Sequence, residues 1–183
     1  MVESLSDFFR TSLNQGKDII SIKEEIQHVR SYLEIQQMRY QDILEYEIDV
    51  PEEFYQNTIP KITVQPLVEN AIVHGVESVK NGTIHLKVFH DESKVYLQVR
   101  NTGKKMTEED IERIHAILEG DESKIPKVPG RHTSIGIQNF NRRVRLVYGE
   151  EYGLTIMQDE DCETVSTITV PFMEEWIAAS LKK

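Results

Sequence analysis

A chain of 183 residues, 39% hydrophobic and 28% charged, can bury one sizeable core, and this composition excludes a disordered polypeptide. A net charge of −10 excludes a broad nucleic-acid surface, and the single cysteine, Cys162, excludes internal disulfides and thiolate metal clusters. No apolar run reaches the length of a membrane span and MVESLSDFF lacks the regions of a signal peptide, so no membrane contact and a reducing, cytoplasmic setting are expected.

In chain order, residues 3–13 form a short predicted helix that Gln15-Gly16 breaks. Ser21 and Glu24 stand in capping-box spacing, and Ile22, Ile26, Val29 and Leu33 make one stripe of a helix running to about Tyr40. That stripe should bury on the domain that follows or on a second copy of itself. LEYEIDV alternates Leu44, Tyr46, Ile48 and Val50 with acidic residues, the pattern of a strand with one wet face, and Pro51 ends it. QPLVENAIVHGV, residues 65–76, reads as a helix. Pro66 suits its first turn, and at about 100° per residue Val68, Ala71, Ile72 and Val76 share one side. Asn70 and His74 lie one turn apart on the opposite side, with Glu69 at the edge. Taken by itself, this stretch is best explained as an ordinary amphipathic helix with a wet polar face.

Asn81-Gly82 makes a turn, and TIHLKVF and KVYLQVR follow as alternating strands joined at Asp91-Glu92-Ser93 in an antiparallel hairpin. TEEDIERIHAILEG is a helix capped at Thr107, acidic in its first turn and closed by Gly120. Residues 121–134 form an irregular loop whose length marks it as functional or mobile. IGIQNFNRRVRLVYG is a further helix, opened by Gly136 and closed by Gly149. LTIMQD and TVSTITV pair across Glu160-Asp161, and MEEWIAASLKK is a tail helix. This order predicts an α/β (α+β) fold, a two-layer sandwich with a mixed, largely antiparallel sheet and helices on one face. The expected divisions are a helical segment over 1–42, a domain over 43–173 and the tail helix over 174–183.

Residues 123–149 hold Lys124, Lys127, Arg131, Arg142, Arg143 and Arg145 and no acid. Such a tract suits a small anion, although a solvated helix face explains it equally well. Three features can serve one ligand: the polar face of 65–76, the glycine turn Asn101-Thr102-Gly103, and Gly136 opening a helix behind the basic loop. A helix start with nearby cations binds anions. Adjacent Glu and Asn side chains can orient a water or hydroxyl and offer an oxygen to Mg²⁺, and a glycine turn lets the backbone approach a flat ligand. Together they would hold a base, a metal and a phosphate tail.

QPLVENAIVHG, VRNTGKKM and IGIQNFNRRVRLVYGEEYGL resemble the N, G1 and G2 boxes of the histidine-kinase ATPase domain. That domain has the Bergerat (GHKL) fold shared with gyrase, MutL and the large ATP-driven chaperones. With YLEIQQMRY before and LVYGEEYG after, the wording is similar to YesM/LytS-type bacterial sensor histidine kinases over residues 20–171. The resemblance implies a C-terminal catalytic domain of a two-component kinase, moving the ATP γ-phosphoryl group to a histidine outside this chain. It implies ATP and Mg²⁺ as ligands, with Glu69 catalytic, Asn70 on the metal and His74 on the phosphate side. Asn101 and Gly103 would meet the adenine, Met106 would pack beside it, and Thr164 would line the pocket. Residues 121–134 would be the lid. Arg131, Thr133 and Ser134 would join the ATP-binding residues, and Gly136 through Asn139 would cradle phosphates.

The chain departs from that pattern in four places. Asn101 replaces the usual Asp, Val73 replaces a Lys, His132-Thr133-Ser134 lacks the first G2 glycine, and Cys162-Glu163-Thr164 replaces Gly-Gly-Thr. A neutral amide bonds adenine less strongly than a carboxylate, so nucleotide affinity should fall. The family's acceptor histidine, in a Pro-His-Phe context, has no counterpart; His28 is expected as a surface helix residue, and His85, His90 and His115 as surface or strand residues. The chain therefore reads as a fragment, monomeric or weakly dimeric, that begins after the acceptor-histidine helix. That helix, a response regulator acting through the full-length protein, and a sensor region with membrane spans are further implied partners or neighbours. Two other readings are a nucleotide-weak docking module of the same fold and a free-standing protein kinase or ATPase, such as an anti-sigma factor serine kinase. The wording of residues 21–42 argues against the last.

Overall fold

The computed structural model describes residues 18–40, 43–79, 81–120 and 133–172, without the side chains of residues 133–135. The expected helix over 3–13, the lid residues 121–132 with Arg131, and the tail helix lie outside these residues.

Ser21 ends a short strand, β1 (Ile19–Ser21), and caps the first helix, α1 (Ile22–Tyr40). Its Oγ accepts from the Glu24 N–H at 3.2 Å, while a Glu24 carboxylate oxygen accepts from the Ser21 N–H at 2.9 Å. The stripe of Ile22, Ile26, Val29 and Leu33 buries in the chain's own core, beside Leu44, Val68 and Leu86. β2 (Leu44–Asp49) stops before Pro51, and β3 (Thr58–Pro60) pairs antiparallel with β1, Ile20 opposite Ile59.

The segment from Gln65 is not one uniform α-helix. α2 (Gln65–Asn70) passes into a π turn over Ala71–Gly75 and then a 3₁₀ turn over Val76–Ser78. β4 (Gly82–His90) and β5 (Lys94–Asn101) form the expected hairpin through Asp91. α3 (Glu108–Glu119) carries a capping box between Thr107 and Asp110 and is closed by Gly120 at φ 76°. α4 (Thr133–Tyr148) begins two residues before the expected start at Ile135, which places Gly136 inside its first turns. β6 (Gly153–Gln158) and β7 (Thr164–Pro171) complete the chain.

Five strands form one sheet in the order β2-β4-β5-β7-β6, with β2 parallel to β4 and every other neighbour antiparallel. Leu86 lies opposite Val99, Val88 opposite Leu97, and Leu97 opposite Ile168. Because side chains alternate along a strand, these residues share one face, and they are all buried. Helical residues Val29, Leu67, Val68, Phe140 and Val144 cover that face. A sheet with one dry face needs a single helical layer, and the two-layer α/β sandwich follows.

Candidate functional site

The site begins with how α2 is started. Its N-cap position, Val64, has no side chain to receive the free N–H groups of a first turn. The carboxylate of Glu25, fully buried on α1, instead fixes the backbone that leads into the helix. Oε1 accepts from the N–H of Thr63 and of Val64, both at 2.8 Å, and Oε2 from that of Ile62 at 3.0 Å. A negative charge at this end also complements the helix dipole. The same three bonds hold Ile62 at φ 57°, a backbone region that β-branched residues avoid.

Leu67, Val68, Ala71, Ile72 and Val76 face the core, so Glu69 and Asn70 stand half-buried on the other side and His74 stands exposed. The Asn70 Oδ1 is buried and has no hydrogen-bond partner among the described residues. A buried acceptor left so costs about 1–3 kcal/mol, and native structures keep few without a reason. An amide oxygen in that position suits a hard cation. No group of three His, Cys, Asp or Glu able to hold a metal occurs among the described residues. A cation here would therefore share Asn70 with oxygens of a ligand, the manner in which Mg²⁺ meets a polyphosphate.

Beside it, the Glu69 Oε1 accepts from Gln65 Nε2 at 2.7 Å, and the Gln65 Oε1 lies 2.6 Å from Nε2 of His28. The expectation for His28 is corrected here: it is 3% exposed, because α1 presents it to α2 rather than to water. Tyr32, a turn further along α1, has its phenol pushed up to about 12, first by burial and then by the charge of Glu69.

The second wall is the end of β5. Asn101 is buried, opposite Ile84 on β4 and Thr164 on β7. Its Nδ2 donates to the Thr102 carbonyl at 2.9 Å, which leaves Oδ1 as the face of the amide that can accept. Thr102 is fixed to the neighbouring strand β4, its N–H on Thr83 O at 3.2 Å and its Oγ1 receiving the Thr83 N–H at 3.0 Å. At Gly103 a Cβ would stand 3.7 Å from Asn101 Nδ2, from His74 O and from Thr164 Oγ1, so three of the expected residues converge on this glycine. The Met106 N–H donates to Gln158 Oε1 at 2.7 Å, and Gln158 Nε2 donates to the carbonyls of Lys104 and Cys162.

Two residues that build this wall were not among the expected ones. Gly75 crosses so close to β5 that a Cβ there would lie 2.4 Å from Asn101 Nδ2 and 2.5 Å from Thr102 O. Its place as the last letter of the N box was the available signal. Gln158 pins the turn after Asn101, and nothing local to LTIMQD reveals that. The remaining expected residues stand apart from this convergence. Gly136 and Asn139 are exposed on α4, with nothing within 4 Å of a Cβ at Gly136. Thr133 and Ser134 belong to the same first turns, and their side chains are outside the described set. The basic tract is partly structural: Arg143 donates to the carbonyls of Lys61 and Ile62, and Arg145 pairs with Glu150 at 3.8 Å. Arg142 is exposed.

Comparison with known proteins follows the same lines. A family model described as "Histidine kinase-, DNA gyrase B-, and HSP90-like ATPase" matches residues 57–174, and one described as "Histidine kinase" matches residues 1–44. The sensor histidine kinase YesM of Bacillus subtilis is 33% identical over 176 residues, 96% of this chain and 28% of its own length. The sensor histidine kinase BtsS of Escherichia coli is 30% identical over the same lengths. This chain thus spans little more than a quarter, 28%, of these curated relatives. Among solved structures, the catalytic domain of histidine kinase ThkA superposes with a TM-score of 0.61 at 17% identity, over 84% of this chain and 95% of that one. ThkA has also been solved in complex with the response regulator protein TrrA, where the TM-score is 0.56 and 95% of this chain and 49% of that one are covered. At such identities the likeness concerns the fold.

Proposed function

The chain belongs to the histidine kinase-, DNA gyrase B- and HSP90-like ATPase family, and from that premise we propose that it is the catalytic domain of a two-component sensor histidine kinase. It binds Mg·ATP and directs the γ-phosphoryl group to a histidine on another segment, for eventual passage to a response regulator. The observation that carries this reading is the orphaned Asn70 Oδ1, next in sequence to a carboxylate that accepts a hydrogen bond from Gln65.

When bound, the nucleotide supplies the phosphoryl group and the divalent ion neutralises charge on its phosphates, so the protein's work is positioning. The Asn101 Oδ1 accepts from the adenine amino group, its own NH₂ being engaged on Thr102. Gly103 leaves room for the ring next to the backbone, with Thr164 and Met106 at its margins. Asn70 would hold the ion, and Glu69 orients the incoming imidazole so that its unprotonated nitrogen faces the γ-phosphoryl group. His74, Thr133, Ser134, Gly136, Asn139 and Arg131 serve the phosphate side. The domain works in the cytoplasm, where ATP is available, and no helix among the described residues is long and apolar enough to cross a membrane.

Calorimetry with Mg·ATP on the wild type and on Asn70→Ala, each with and without EDTA, tests the proposal. Metal-dependent binding that weakens at least about tenfold in Asn70→Ala, with the melting temperature unchanged, supports it; a tenfold loss is the scale of one good contact. No heat and no thermal shift at millimolar ATP would overturn it in favour of a docking module.

A further inference from the structure

Glu69 is reached from α1 through a chain of side chains that ATP binding does not require. His28 Nε2 lies 2.6 Å from Gln65 Oε1, and Gln65 Nε2 donates to Glu69 Oε1 at 2.7 Å. The direction of the chain is set by chemistry. A carboxylate only accepts, so Gln65 must turn its NH₂ toward Glu69 and its carbonyl oxygen toward His28, whose Nε2 then carries the proton. Other polar side chains of α1 meet the same stretch beside the apolar contact of the two helices. Tyr32, the next turn of α1, lies close enough to Glu69 to feel its charge, and Tyr40 donates its hydroxyl to Glu77 beyond the π turn.

We infer that His28 and Gln65 are positioning residues for Glu69. Through them the placement of α1 sets the aim of the carboxylate whose other oxygen, Oε2, addresses the phosphoryl acceptor. This rests on the role given to Glu69 above. A half-buried glutamate without a partner samples several rotamers, and one oxygen tied to Gln65 removes that freedom before substrate arrives. A displacement of about 1 Å in such a group can cost a hundredfold in rate. A shift or rotation of α1 that breaks the His28–Gln65 bond would therefore slow transfer without touching the nucleotide.

Two measurements on the full chain test this. In the ligand-free protein, the ¹³C resonance of the Glu69 carboxylate should move in the same direction in Gln65→Leu and in His28→Phe, and stay put in Gln27→Ala, an exposed site on α1. With Mg·ATP and an acceptor-histidine helix supplied in trans, both variants should lose roughly tenfold to a hundredfold in kcat while the Kd for Mg·ATP stays within about twofold. His28→Gln, which keeps a donor, should recover most of the rate. Gln65→Leu added to Glu69→Gln should cost nothing beyond Glu69→Gln alone. An unmoved resonance, or losses that multiply in the double variant, would overturn the inference. The half-buried Gln65 carries the test even where His28→Phe fails to fold. A slow Glu69→Gln with a fast Gln65→Leu removes the positioning role alone, whereas a fast Glu69→Gln removes the role of Glu69 and this inference together.

Discussion

At Gly75 φ is negative, −95°, so no left-handed turn calls for the glycine, and the close approach of β5 does. A methyl group 2.4 Å from Asn101 Nδ2 would push the π turn off the end of β5. Overpacking of this kind costs about 1–3 kcal/mol. Gly75→Ala is expected to lose that much stability by urea titration and to weaken Mg·ATP binding by about tenfold or more; an unchanged Kd would mean that Asn101 does not face the base. Cys162 presents the opposite case. Its φ of 62° is left-handed, which costs an L-residue about 1–2 kcal/mol. Cys162→Gly relieves the strain and gives back part of it as unfolded-chain entropy. A gain of about 0.5–1 kcal/mol in the denaturant midpoint is expected, with the Gln158 bond to its carbonyl retained.

Among the elements, α1 and the segment leading into α2 are coupled through a buried carboxylate. Glu25→Ala would orphan the buried N–H groups of Thr63 and Val64, each worth about 1–3 kcal/mol, and release Ile62 from its strained backbone. The expected destabilisation is roughly 3–5 kcal/mol, measurable by chemical denaturation, and a loss below about 1 kcal/mol would show that α2 caps itself. The β4–β5 hairpin carries the acid-sensitive feature. The Tyr96 hydroxyl first, then the N–H groups of Ser93 and Lys94, hold the Asp91 carboxyl down from 3.8 to about 2. A folded-state value below the unfolded one favours folding above pH 3.8, and that contribution is lost as the pH falls toward about 2. Tyr96→Phe should move the Asp91 titration, followed by carboxyl NMR, to higher pH. No movement would assign the shift to the backbone donors alone.

For the whole molecule, a ligand bound by both walls of the cleft should stabilise the fold that brings them together. Mg·ATP at about a hundred times its Kd is expected to add about 2.7 kcal/mol, seen as a thermal shift that EDTA removes. A shift of equal size without the metal would detach Asn70 from the site. Coupling of ligand and fold follows from construction: Asn101 and Thr164 lie on neighbouring strands, while Gly75 and Asn70 arrive from the helical layer.

The five strands of the main sheet, its hairpins and the caps of α1 and α3 were legible in the sequence, because periodicity and turn chemistry are properties of adjacent residues, and the N, G1 and G2 boxes were legible by resemblance; the short β1–β3 pair was not, since three-residue strands carry too little alternation to show. The two layers followed from counting faces: alternation along β4, β5 and β7 leaves one side dry. What only the tertiary structure decided involves partners far apart in the chain. Glu25 and His28 look like ordinary polar positions of α1 until residues 37 to 39 positions further on bring their amides to them. Gln158 looks like the wet end of a strand until Met106 arrives from 52 residues away. Asn70 could be placed on a polar face from its spacing, but its solitude could not, since burial without a partner depends on every neighbour that fails to reach it. Local order is written in short-range pattern, whereas desolvation is collective, and the chemistry of this site is a matter of desolvation.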